Sequence, residues 1–103
     1  MQYSIDIFDH SAERAMKMLA ENCRKRRLDN GLSRRHLAEE TDVPAPTIAR
    51  FETTGKISLE SFARIAVYFG YFDELSHILD KSKYTTAAEL DLINNNRERK
   101  KGR

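Results

Sequence analysis

The residues of this chain that could do chemistry are mostly cations. Residues 24–64 hold nine Lys or Arg against six Asp or Glu, a local net charge of +3, while residues 1–23 carry −2, residues 65–96 carry −3 and residues 97–103 carry +4. A basic middle between acidic flanks, followed by a basic tail, suits a protein that turns one face toward a polyanion. Other chemistry is thin. Cys23 is the single cysteine, so neither an internal disulfide nor a cysteine-based metal cluster is available. His10, His36 and His77 lie far apart with no ligand spacing, and the four glycines form no phosphate-cradling loop. Neither a nucleophile–base pair nor a carboxylate pair stands out. The pattern argues against an enzyme and implies no metal and no cofactor.

Those cations need a scaffold. The chain has 103 residues, 40% hydrophobic and 33% charged, which fits one domain with tails and a single modest core. No apolar run approaches the ~18–20 residues that cross a bilayer. The start, MQYSIDIFDH, has neither a basic n-region nor a long apolar stretch, so the expected location is the cytoplasm. The fold class expected is all-α. Residues 1–9 form an N-terminal extension, 10–80 the main domain, and 81–103 a C-terminal helix with a disordered basic tail.

The elements follow from periodicity and caps. Residues 3–8, YSIDIF, alternate like a strand too short to stand alone. Asp9 or Ser11 caps a first helix to about Leu28, with Ala12, Ala15, Met16, Leu19 and Cys23 as its apolar stripe. Asn30-Gly31 ends it, Gly31 taking the left-handed conformation. Ser33 caps a short second helix through Glu40, with Leu37 and Ala38 inward. Asp42 tolerates the left-handed turn that follows, and Val43 plugs it. Pro44-Ala45-Pro46 opens a third helix anchored by Ile48 and Phe51, and Thr54-Gly55 stops it. Ser58 caps a fourth, with Leu59, Phe62, Ile65, Ala66 and Phe69 as its core stripe. A short fifth helix near Asp73 is expected to bury Leu75, Ile78 and Leu79. Thr86 and Glu89 form a capping box for a last helix that runs into Asn94-Asn95-Asn96.

Two short helices joined by a tight turn, RRHLAEETDVPAPTIARFE from Arg34 to Glu52, make a helix-turn-helix pattern. The third helix keeps Ala45, Pro46, Thr47, Ala49 and Arg50 on its outer surface. From Leu19 to Leu79 the sequence resembles the Cro/repressor-like, or XRE-type, helix-turn-helix domain. The matching pieces are Arg27…Gly31-Leu32-Ser33, His36-Leu37-Ala38-Glu39, Val43…Thr47-Ile48-Ala49-Arg50-Phe51-Glu52, and Gly55-Lys56-Ile57-Ser58-Leu59-Glu60-Ser61-Phe62…Ile65-Ala66…Phe69-Gly70. The resemblance covers about sixty of the 103 residues. It implies a compact five-helix, lambda-repressor-like domain that binds operator DNA, usually as a dimer, in a prokaryotic or phage-like setting.

The resemblance also assigns roles. Ser33, Arg34 and Arg35 match the start of the second helix, which contacts phosphate and base edges. Two arginines there oppose the helix dipole by a few tenths of a kcal/mol, which phosphates would offset. Ala45, Pro46, Thr47 and Arg50 match the exposed face of the reader helix. Arg50 could donate twice to guanine, worth ~1–3 kcal/mol of discrimination. Pro44, Ala45 and Pro46 replace polar residues common in the family, which implies sparse base reading assisted by DNA shape. Thr53, Thr54, Lys56 and Ser58 match a backbone-clamping loop, with Lys56 its main phosphate contact. Arg27 and Glu52 match an intradomain ion pair.

Tyr68, Tyr71, Phe72 and Leu75 belong to an aromatic and apolar cluster in excess of one small hairpin, and are expected to cover a two-fold partner. The expected function is a transcriptional regulator, a repressor that binds double-stranded operator DNA as a homodimer. The alternative is an antitoxin: the run FETTGKISLESFARIAVYFG resembles HipB-like antitoxins, which bind a toxin protein and repress their own operon.

Overall fold

The computed structural model describes residues 9–83 and 87–100, with side chains through Arg97. The expected strand over 3–8 and the cap at Thr86 lie outside the described residues. Among the described residues there are six helices and no strand: α1 (Ala12–Asp29), α2 (Arg34–Thr41), α3 (Ala45–Thr54), α4 (Leu59–Tyr68), α5 (Phe72–Ser76) and α6 (Ala87–Lys100). The class is all-α, as read from the sequence. None of these helices is long and apolar enough to cross a membrane.

Serines set the starts of three helices. The hydroxyls of Ser11, Ser33 and Ser58 accept from the N–H groups of Arg14 (3.1 Å), His36 (3.0 Å) and Ser61 (3.1 Å), satisfying donors that the helix itself cannot. Pro44 precedes α3 without a side-chain cap, and Pro46 sits in its first turn, where a missing N–H leaves no bond unmade. Two left-handed residues set the stops. Asp42 (φ 62°) ends α2 and Gly55 (φ 81°) ends α3. Gly55 meets a second requirement: a Cβ there would lie 3.2 Å from backbone atoms of Met16 and Lys17. The end of α3 therefore lies close enough to the α1 backbone that a side chain at 55 would crowd it, in addition to the strain of the left-handed conformation.

α3 packs against α1 and α2, α2 also against α4, and α4 against α5. Leu37, Val43, Ile48, Phe51 and Ile65 fill the centre with essentially no exposed surface, joined by Ala20 and Cys23. Phe62 meets Phe51 edge to face with ring centroids 5.8 Å apart, a favoured aromatic geometry.

Several expectations need correcting. On α1 the buried residues are Ala20, Cys23 and Arg27, while Ala12, Ala15, Met16 and Leu19 are exposed. The buried stripe starts later and runs to Arg27, whose buried side chain pairs with Glu52. Leu59 lies outside the core at the first turn of α4, and Phe69 is half-buried against it. α5 is only five residues long and stops before Ile78 and Leu79, which are 64% and 95% exposed, and Leu75 is half-buried. α6 does not stop at the asparagines but continues to Lys100.

Candidate nucleic-acid interface

The buried face of α3 fixes which residues it presents. Ile48 and Phe51 point inward with at most 1% exposure, so the opposite face, a half-turn away, carries Pro46, Arg50 and Thr53, all exposed. Ala45 and Thr47 are half-buried at its edges. Arg50 has no side-chain hydrogen bond or ion pair among the described residues, and neither has Lys56. Ser33, Arg35 and Ser58 are exposed. Arg35 has only a loose contact, 3.7 Å, with Glu39 on its own helix. The cap hydroxyls of Ser33 and Ser58 use their lone pairs on backbone N–H groups and keep an O–H to donate.

The loop after α3 is held by its own side chains. Thr54 Oγ1 donates to the Arg50 carbonyl (2.7 Å) and accepts from the Lys56 N–H (3.1 Å). Thr53 Oγ1 donates to the Ala49 carbonyl (3.0 Å). The Thr54 hydroxyl thus has no proton left for a phosphate in this conformation, and what it does is fix the backbone that carries Lys56.

Beneath this surface lies an ion cluster. Arg27 grips Glu52 with two bonds, Nε to Oε2 at 2.7 Å and Nη2 to Oε1 at 2.9 Å, and its Nη1 donates to the Leu32 carbonyl at 2.9 Å. The Glu52 side chain has 0% exposure, and Arg34, 41% exposed, donates its Nε to Glu52 Oε1 at 3.0 Å. Burial alone would raise the Glu52 carboxyl, but the hydrogen bonds from Arg27 and Arg34 and their positive charges outweigh it, and the net shift is downward. The cluster joins the end of α1, the start of α2 and the end of α3. Burial, and secondarily the charge of Glu52, push the nearby Cys23 thiol up to about 11, so it stays protonated and unreactive at neutral pH.

Sequence reading placed Arg34 at the surface and did not find its bond to Glu52. It also did not single out Arg64, which bridges Glu60 (2.7 Å) on its own helix and Asp42 (3.4 Å) in the turn. The Glu60–Arg64 spacing of four was a visible signal. The contact with Asp42 was not, since it depends on how α4 meets the turn.

A left-handed turn between two short helices, the second offering on its outer face an arginine unpaired among the described residues, is the arrangement of a helix-turn-helix. The helix-turn-helix family model matches residues 24–75, and the chain belongs to that family. It is a DNA-binding transcription regulator of the XRE type. No curated protein and no solved structure matches the chain.

Proposed function

We propose that this regulator is a repressor that binds a palindromic operator as a homodimer, with residues 10–80 as the DNA-binding unit. The carrying observation is the exposed Arg50, unpartnered among the described residues, on the face of α3 opposite Ile48 and Phe51. In this reading α3 enters the major groove, where Arg50 reaches base edges and Thr47, Ala45 and Pro46 make the closest apolar and polar contacts. Ser33, Arg34, Arg35, Lys56 and Ser58 hold phosphates, and Thr54 shapes the loop that presents Lys56.

Dimerisation is supported by apolar surface left uncovered. Tyr68 and Tyr71 are each 40% exposed and Phe72 62%. Tyr71 lines a largely apolar groove of about 520 Å³ together with Leu19, Phe62, Phe69, Leu75 and Ile78, with Arg26 and Glu74 also in its lining. A second copy over this face would set the two reader helices roughly 34 Å apart, one turn of DNA. Selection of bound sequences from a random duplex pool, with the stoichiometry of the complex, tests the proposal. Palindromic sites with two chains per site support it; a monomer both free and on DNA contradicts it.

The antitoxin reading has one observation in its favour. Exposed apolar surface continues past the expected dimer residues to Ile78 and Leu79, so a second protein has room to dock beside the two-fold. Co-purification of a toxin at fixed stoichiometry with the native operon would select this reading.

A further inference from the structure

The cluster at Glu52 holds two guanidinium groups against one carboxylate. Arg27 alone neutralises Glu52, with a bidentate grip and a third bond to a carbonyl. Arg34 is therefore surplus to the burial of that charge. It makes a single bond, through Nε, among the described residues. Its four Nη hydrogens have no acceptor there, on a side chain that remains 41% exposed. A guanidinium is a rigid plane, so fixing one edge fixes the direction of the other.

We propose that Glu52 is a positioning residue for DNA binding: it holds Arg34 by its Nε edge so that the Nη edge meets a backbone phosphate. This rests on the reading of Arg34 as a phosphate contact. The phosphate completes the charge balance, two guanidiniums against one carboxylate and one phosphate. The exposed Ser33 hydroxyl, next in the chain, supplies a further O–H donor. An arginine held before binding loses less rotamer freedom when the phosphate arrives. Glu52 itself never touches DNA, since its side chain has no exposed surface.

The test is a double-mutant cycle read in DNA affinity. The wild type, Arg34→Ala, Glu52→Gln and the double variant are titrated with mixed-sequence duplex DNA over a salt series. Circular dichroism first establishes that each is folded. Arg34→Ala is expected to weaken binding about tenfold and to lower the salt slope by about one. Glu52→Gln is expected to weaken binding about fivefold alone, and less than about twofold when Arg34 is already alanine. Equal effects of Glu52→Gln in both backgrounds would overturn the proposal while leaving Arg34 a phosphate contact. Arg34→Ala with unchanged affinity and slope overturns both. Should Glu52→Gln fail to fold, Arg34→Lys decides. Lysine keeps the charge but has no Nε–H edge to anchor, so the expected result is an unchanged slope with affinity about fivefold lower. Arg34→Lys binding like the wild type contradicts the proposal.

Discussion

The region where α2 meets α3 and the region around α5 start from similar materials, short helices with large apolar residues, and finish differently. In the first, Leu37, Val43, Ile48 and Phe51 are closed off from solvent, and the one buried carboxylate has three hydrogen bonds. No buried side-chain polar atom lacks a partner among the described residues. In the second, a five-residue helix leaves Tyr71, Phe72, Ile78 and Leu79 in solvent beside an open groove. A monomeric domain rarely leaves such a contiguous apolar patch without a use for it. The contrast teaches that the α2–α3 region is closed within one chain, whereas the α5 end leaves the apolar surface that the proposed dimer would cover. Mutations in the two regions should therefore separate stability from assembly.

The largest effect belongs to the closed region. Phe51→Ala should destabilise the fold by about 3–5 kcal/mol, read from denaturant midpoints, because Phe51 is fully buried in the same cluster as Ile48 and Ile65 and meets the Phe62 ring, so its removal leaves a cavity. A loss below about 1 kcal/mol would mean the centre is loosely packed. Next come the ion partners. Arg27→Ala or Glu52→Ala should cost about 1–3 kcal/mol at neutral pH. The pH dependence has a fixed sign. The folded pKa of Glu52 is lowered, so its contribution is present above the unfolded value, about 4.3, and is lost as pH falls through the folded one. Glu52→Gln should thus differ from wild type most above pH ~4.3 and least in stronger acid. A gap that stays constant through that range would show no linkage at Glu52. The smallest effect on stability belongs to the open region. Phe72→Ala should change the midpoint by less than about 0.5 kcal/mol while shifting sedimentation toward the monomer. A large stability loss with no change in mass would place Phe72 in a monomer core.

Much of this arrangement was legible in the sequence because it is local. The caps at Ser33 and Ser58, the choice of Asp9 or Ser11 for the first helix, the left-handed Asp42, the stop at Gly55, and the spacing of Ile48 and Phe51 each depend on a few neighbouring residues. The misses depend on distant ones. Periodicity shows that α1 is amphipathic but not which side its neighbours take, and apolar spacing alone does not extend the buried stripe of Ala20 and Cys23 to a charged residue such as Arg27. Apolar type alone does not tell burial at Leu59, Ile78 and Leu79, all exposed, and α5 ends before the last two. The bond from Arg34 to Glu52, 18 residues apart, exists only once α2 and α3 are packed. Of the proposed DNA contacts, types and faces were legible in the sequence, and packing supplied which cations are unpaired among the described residues.

The most direct measurement compares Arg50→Ala with Lys56→Ala on two DNAs, the selected operator and a random duplex, over a salt series. Arg50 stands on the outer face of α3 and Lys56 on the loop behind it, both unpartnered among the described residues. Base contacts carry sequence information and phosphate contacts do not. Arg50→Ala should cost about 1–3 kcal/mol on the operator and little on random DNA. Lys56→Ala should weaken both alike and lower the salt slope by about one. Equal weakening of both DNAs by Arg50→Ala would contradict the account, making Arg50 one more phosphate clamp and α3 a helix that binds DNA without reading it through that residue.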